Sequence, residues 1–208
     1  MLKIIEPYAE LLSDINGSEM LKAIEKAGRT CYKSEGKITD VSAPKFVRQL
    51  IENNHDAMLE HAPSISIRFI CDRGVSHEIV RHRLFSFAQE STRYCNYGKS
   101  KFNHELTFIK PCFWEESGEQ YQAWLNAMES AERFYFELLD KHSATPEQAR
   151  SVLPSSLKTE LLVTGNVREW RHFFKLRIDK AAHPQMQQSA NMALDILRGC
   201  VDVLFEDF

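Results

Sequence analysis

Fourteen consecutive residues, Arg81-His82-Arg83-Leu84-Phe85-Ser86-Phe87-Ala88-Gln89-Glu90-Ser91-Thr92-Arg93-Tyr94, carry three arginines, one histidine and two serines, with Phe85, Phe87 and Tyr94 between them. Any fold has to give those charges water or an anion. Guanidinium is planar, permanently charged and suited to bidentate capture of phosphate. Serine hydroxyls and backbone N–H groups add donors. From chemistry alone this is an anion-binding segment for a phosphorylated small molecule. A plainer reading stands beside it. Val75 to Leu84 has helical spacing, with Ser76 as N-cap and Val75, Ile79 and Val80 on one face. Arg81, His82 and Arg83 then occupy the last turn, where cations complement the helix dipole. Spacing alone leaves both readings open.

Composition narrows the surroundings. A 208-residue chain with 43% hydrophobic content suits one domain with a substantial core. Lys+Arg number 26 against 29 Asp+Glu, a net charge of -3. A broad basic surface for nucleic acid is not indicated, so an anion site must be local. The five cysteines (Cys31, Cys71, Cys95, Cys112, Cys200) are scattered and form no Cys-x-x-Cys pair. They argue against zinc and a disulfide framework, and fit reduced thiols in a cytoplasmic protein. Met1 to Pro7 has no signal-peptide core, and no stretch approaches the roughly 20 apolar residues of a membrane span.

The expected order of elements is mixed. Leu2 to Tyr8 reads as a short edge strand ended by Pro7. Ser18 caps a helix with Met20, Leu21, Ile24 and Ala27 at helical spacing. Ser42 caps a second, with Pro44 in its first turn and Phe46, Val47, Leu50 and Ile51 as its stripe. Ser64 to Phe69 alternates as a half-buried strand, extended by Ile70-Cys71. Glu105 to Lys110 is a further strand, and Gly118 to Lys141 the longest helix. Thr145-Pro146-Glu147-Gln148 is a capping box. Thr159 to Thr164 fits either a strand or an apolar helix. Asn166 and Glu169 open a helix packed by Trp170, Phe173, Phe174 and Leu176. Its other side, with Arg168, Arg171, His172, Lys175 and Arg177, reads as a solvated basic face. His183-Pro184 opens the last helix. No repeat or linker interrupts the chain, so the expectation is one α+β domain, residues 1–208, with a mixed sheet and several helices.

His55-Asp56-Ala57-Met58-Leu59-Glu60-His61 invites a metal reading. His-Glu-x-x-His is absent, and a His-Asp phosphohydrolase needs a histidine upstream, whereas His55 is the first in the chain. A polar loop with capping histidines is the better account.

The order Arg81-His82-Arg83, seven residues, then Ser91, with Ser86 inside and Arg93-Tyr94 after, resembles the signature of flavin-dependent thymidylate synthases. The resemblance runs from about Gly28 to Gln188. His55 to His61 resembles the family's His-x-x-x-x-Glu-His element. Arg150 to Pro154 resembles its Arg-x-x-Leu-Pro element. Asn166-x-Arg168 and Leu176-Arg177 resemble its Asn-x-Arg and Leu-Arg elements.

The resemblance implies a homotetramer with FAD at subunit interfaces. It implies conversion of dUMP to dTMP with methylenetetrahydrofolate as one-carbon donor and NADPH as reductant of the flavin, and no cysteine nucleophile. By position, it assigns His55, Ala57, Glu60, Arg81, His82, Arg83, Gln89, Asn166, Val167, Arg168 and His172 to FAD. It assigns Glu78, Ile79, Val80, Arg81, Gln89, Glu90, Ser91, Thr92, Arg93, Arg150 and Arg177 to dUMP. Arg177 is the catalytic candidate, a cation at uracil N3/O4 that stabilises the charge needed to make C5 nucleophilic. The hydride chemistry belongs to the flavin. Ala88-Gln89 replaces the Asn-Glu of many members, with the acid at Glu90. Ala57 replaces a hydroxyl residue, so any contact there is by backbone, and His172 stands where some members have asparagine. Ser91 has no evident base beside it, which favours binding over nucleophilic attack. Two other classes compete: a single-strand nucleic-acid binder using interleaved cations and aromatics, and a metal phosphohydrolase. Net charge opposes the first and the incomplete ligand set the second. No nucleic-acid or membrane partner is expected.

Overall fold

Residues 2–208 are described by a computed structural model. The chain opens with two short strands, β1 (Lys3–Ile5) and β2 (Tyr8–Leu11). Pro7, which has no N–H to give a ladder, lies between them. One strand was expected here, and the proline separates two. Helix α1 (Gly17–Thr30) is capped by Asn16, whose Oδ1 accepts from the Glu19 N–H at 3.1 Å. The expected cap, Ser18, falls inside the first turn. In α2 (Ala43–Glu52), Pro44 occupies the first turn as expected. Ser42 makes no side-chain cap. Its hydroxyl instead donates to Glu25 at 2.8 Å and accepts from the Thr39 N–H at 2.9 Å. Asp56–His61 forms a 3₁₀ turn.

Strand β3 (Ile65–Asp72) leads into α3 (Arg73–Ile79). Asp72 Oδ1 accepts from the Val75 N–H at 2.7 Å, so Asp72, not Ser76, caps this helix. The helix ends at Ile79. Arg81, His82 and Arg83 therefore lie in the turn beyond it, and the reading of them as last-turn cations is overturned. Strand β4 (Ser86–Gln89) follows. Strand β5 (Thr107–Ile109) pairs in parallel with β1, Ile4 opposite Phe108. Then come α4 (Glu119–Asp140) and α5 (Pro146–Ala149), the latter with the full Thr145–Gln148 capping box. The segment left open between strand and helix is a strand, β6 (Lys158–Gly165), whose burial alternates residue by residue. Helices α6 (Val167–Arg177) and α7 (Pro184–Val201) complete the set. The main sheet has the order β2-β3-β6-β4.

The chain groups into two compact units built from non-consecutive segments. Unit one comprises the N-terminal segment to Tyr8, Phe69–Ile79 and Ala88–Leu161. Unit two comprises Ala9–Arg68, Val80–Phe87 and Leu162–Phe208. Unit one closes its core with α4: Tyr121, Trp124, Met128, Tyr135 and Phe136 pack with Leu106, Phe108 and Leu157. Unit two buries Phe85, Trp170, Phe173, Phe174, Met186 and Leu197. Each such side chain contributes about 1.5–3 kcal/mol. Leu176, expected in that core, is 48% exposed.

Candidate functional site

Unit two holds a cavity of about 1090 Å³. The turn at Arg81–Leu84 forms one wall and α6 another, with Asp56, Glu60 and the C-terminal Asp207 and Phe208 at its edges. Helix α6 is fixed at its start by Asn166, whose Oδ1 accepts from the Glu169 N–H at 2.9 Å. Its inner face anchors it: Trp170 is fully buried and its indole N–H donates to Ile65 O at 3.2 Å. The opposite face, read from sequence as solvated, lines the cavity instead. Six cations converge there: Arg81, Arg83, Arg168, Arg171, Lys175 and Arg177. Two are committed to acids, Arg168 to Glu60 at 2.7 Å and Arg171 to Asp207 at 2.6 Å.

His82 sits behind this wall, 5% exposed. The Arg177 Nε–H donates to its Nε2 at 3.0 Å, so that nitrogen is the acceptor. Its Nδ1 carries the proton and faces the buried Glu169 carboxylate at 3.6 Å. Burial, then the Arg177 charge and then His172, push the imidazole down to about 4, so it is neutral at pH 7. Burial pushes the Glu169 carboxyl up. The turn carrying His82 is held by Phe85, whose ring lies 4.6 Å from that of Trp170. Gly165 makes room for it: a Cβ there would stand 2.1 Å from Phe85 Cδ1.

A second cavity in the same unit, about 590 Å³, is lined by His55, Ala57, Met58, Tyr32 and Phe46 among others. The two cavities share Asn54, Asp56 and Arg168. Between them they gather His55, Ala57, Glu60, Arg81, His82, Arg83, Asn166, Arg168, His172 and Arg177 of the sequence-derived set. Val167 is not among them. Its side chain is fully buried, which leaves only its backbone for a ligand.

Unit one holds the Gln89–Arg93 segment and Arg150. A cavity of about 470 Å³ is lined by Arg73, Thr92, Glu147, Arg150, Ser151 and Leu153. Arg150 reaches Thr92 Oγ1 at a long 3.5 Å, and Arg73 reaches Thr159 Oγ1 at 3.4 Å. Neither arginine has a carboxylate partner among the described residues, because Glu147 pairs with Arg93 at 2.9 Å. Ser91 Oγ accepts from the Arg93 N–H at 3.3 Å. The Gln89 amide nitrogen is used inside the unit, donating to Ser76 Oγ at 2.8 Å and to Thr159 Oγ1 at 3.2 Å. Glu78 is half-buried in α3. Ile79 beside it is fully buried, so its side chain is core. Val80, half-buried, belongs to unit two.

Sequence reading missed Arg73, Tyr97 and Lys158, which no motif spacing marks. Arg171 and Lys175 were seen only as a basic face, and Glu169 only as a capping residue. Among the described residues no helix is long and apolar enough to cross a membrane, and no three of His, Cys, Asp and Glu are placed to hold a metal.

Comparison with known proteins gives a consistent picture. The family model described as "Thymidylate synthase complementing protein" matches residues 10–201. The flavin-dependent thymidylate synthase of Corynebacterium aurimucosum is 35% identical, covering 94% of this chain and 82% of that protein. The enzyme of the same name from Mycobacterium marinum is 32% identical, covering 97% and 84%. Among solved structures, a UMP/dUMP methylase, PolB from Streptomyces cacaoi, bound with 5-Br dUMP, superposes with a TM-score of 0.79 at 25% identity. That superposition covers 99% of this chain and 96% of PolB.

Proposed function

The chain belongs to the flavin-dependent thymidylate synthase family, and from that premise we propose that it catalyses reductive methylation of dUMP to dTMP. The one-carbon unit comes from methylenetetrahydrofolate, and NADPH reduces a tightly bound FAD. The whole chain acts as one functional domain, in a cytoplasmic homotetramer with FAD at subunit interfaces.

The observation that carries the reading is the cation-lined cavity of unit two. Its volume, about 1090 Å³, suits a dinucleotide. Arg81 and Arg83 have no carboxylate partner among the described residues, and they are donors of the kind a pyrophosphate requires. They hold FAD together with Arg168, His172, Asn166, Glu60, His55, the Ala57 and Val167 backbone, His82 and Gln89. Bound FAD supplies the hydride chemistry. Tyr94 and Leu84, each 79% exposed, are large apolar groups beside the signature and support coverage by another copy of the chain.

The chain's own residues bind, orient and polarise. Arg177 stabilises the enolate-like charge on the uracil at N3/O4, and as an arginine it does so at any working pH. The neutral His82 orients it by accepting from Nε and adds no competing charge. Arg150, Thr92, Ser91 and Arg93 take the phosphate of dUMP, and Arg81, Glu78, Gln89 and the backbone of Ile79 and Val80 contact the rest of the nucleotide. A doubly charged phosphate is balanced by the guanidiniums of Arg150 and Arg73, which line the small cavity without a carboxylate partner among the described residues.

The test is a visible spectrum of the purified protein, followed by anaerobic NADPH with dUMP and a product assay with methylenetetrahydrofolate. A yellow protein that bleaches and forms dTMP supports the reading. A protein that takes up no FAD, or that bleaches and forms no dTMP, removes it.

A further inference from the structure

Glu90 stands in the segment that sequence assigns to the nucleotide, yet the rest of unit one already holds it on every polar group. Its Oε1 accepts from the Tyr97 hydroxyl at 2.7 Å. Its Oε2 accepts from Lys158 Nζ at 3.0 Å. Its N–H donates to Glu160 O at 2.9 Å, and its carbonyl accepts from Arg73 at 3.5 Å. The carboxylate is 13% exposed and Lys158 20%. Tyr97 is buried, and burial followed by the Glu90 charge holds its hydroxyl well above the usual tyrosine range, so it stays a donor. Burial alone would pull Lys158 down, but its bonds to Glu160 and Glu90 outweigh that and keep it charged. A single ammonium thus serves two carboxylates, with Glu160 at 2.7 Å.

With each oxygen already accepting one bond and the side chain only 13% exposed, the carboxylate offers a sugar hydroxyl little open surface. Its position gives it another use. Glu90 directly precedes the Ser91–Arg93 turn, whose Thr92 faces the small cavity beside Arg150 and Arg73. Among the described residues the turn has no cross-strand ladder of its own, and the Tyr94 and Cys95 N–H groups donate back to Ser91 O, at 3.2 Å and 2.9 Å. We infer that Glu90 is the anchor of the phosphate-recognition turn, not a ligand of the nucleotide sugar, and that Tyr97 and Lys158 are positioning residues acting through it. The inference rests on the assignment of that turn to dUMP.

The test uses the full-length holoenzyme and three variants: Glu90→Gln, Tyr97→Phe and Lys158→Met. Tyr97→Phe and Glu90→Gln should each raise KM for dUMP about 3- to 10-fold, as expected for loss of one partly buried hydrogen bond, with kcat within about twofold of wild type. Lys158→Met should raise it about 10- to 100-fold, because Glu90 and Glu160 lose their shared cation. The double variant Glu90→Gln/Lys158→Met should bind dUMP better than Lys158→Met alone, a coupling that independent sites do not show. The preference for dUMP over UMP should be the same in all of them. A change in that preference confined to Glu90→Gln, or additive effects in the double variant, overturns the anchor and restores a sugar contact. Hydrogen exchange at the Tyr94 and Cys95 amides needs no substrate. It should quicken in Tyr97→Phe and Lys158→Met, and unchanged exchange also overturns the anchor. If wild type neither binds nor turns over dUMP, the functional reading fails, while the exchange result still decides the anchor.

Discussion

The large cavity of unit two and the small cavity of unit one both collect arginines, but they treat the charges differently. In unit two three of the six cations have partners within reach: Glu60 for Arg168, Asp207 for Arg171, and a neutral imidazole for Arg177, while Arg81 and Arg83 have no carboxylate partner among the described residues. The lining is mixed in sign and about 1090 Å³ in volume. In unit one, about 470 Å³ holds Arg73 and Arg150 with no carboxylate partner among the described residues. A large ligand of low charge density is matched by the first arrangement, and a compact dianion by the second. Counting arginines would not separate them. The partners of the arginines do.

The largest effect should come from Arg177→Ala. It removes a cation placed for the developing charge, a loss of about 10²–10³-fold in dTMP formation. Flavin absorbance should stay near wild type, because Arg81, Arg83 and Arg168 remain in that cavity. Single-turnover product formation and the visible spectrum check both halves. Loss of flavin along with activity would make Arg177 a cofactor ligand first and break the division of labour. Arg150→Ala comes next. It should raise KM for dUMP about 10- to 100-fold, as for one lost charge-assisted contact, and leave flavin content alone. An equal loss of FAD would show that the small cavity does not serve the nucleotide by itself.

Much of the scaffold was legible because it rests on local signals. The Thr145–Gln148 capping box, the Asn166–Glu169 cap and the alternation of β3 are each readable within a few residues. The miss at Arg81–Arg83 has a physical cause. Asp72, at the end of β3, caps α3 and sets its start at Arg73, earlier than the apolar spacing suggests, and the helix stops at Ile79, short of Leu84. The apolar spacing of Val75 and Ile79 could not reveal this, since a buried strand end and a helix start are both apolar. The site was legible in its residue types and not in its pairings. Glu90 reads as a ligand because of where it falls in the signature, whereas Tyr97 and Lys158 hold it from 7 and 68 residues away. No local pattern carries such a contact. Leu176 and the basic face of α6 illustrate the same limit. Their neighbours in sequence suggested core and solvent, and the cavity between the Arg81 turn and α6 decided otherwise.

A pH experiment sharpens the unit-two half of the comparison. His82 has an ordinary value of 6.5 and is depressed to about 4 in the fold. Between those values the unfolded chain binds a proton that the folded chain refuses. Stability is therefore full above about pH 6.5 and falls as pH drops toward 4, by about 2 kcal/mol at pH 5. Glu169, pushed up by burial, acts in the opposite sense over its own range. The informative quantity is thus the difference between wild type and His82→Gln, from urea unfolding at pH 7 and pH 5. The variant should lose the His82 part of the slope. If both proteins lose the same stability, His82 is not the buried neutral group that orients Arg177.

The smallest effect tests the unit-one half from the opposite side. Arg93 and Glu147 pair at 2.9 Å, but their side chains are 47% and 55% exposed. An ion pair this open contributes less than about 0.5 kcal/mol, and salt screens it further. Glu147→Ala should leave the melting temperature within about a degree. Its effect should appear in binding: Glu147 is the acid lining the small cavity, and removing it frees Arg93 and makes that cavity more positive. KM for dUMP should fall by about twofold at low ionic strength and return to the wild-type value in salt. A rise in KM would mean that Arg93 depends on Glu147 for its position, as Arg177 does on His82 in the large cavity.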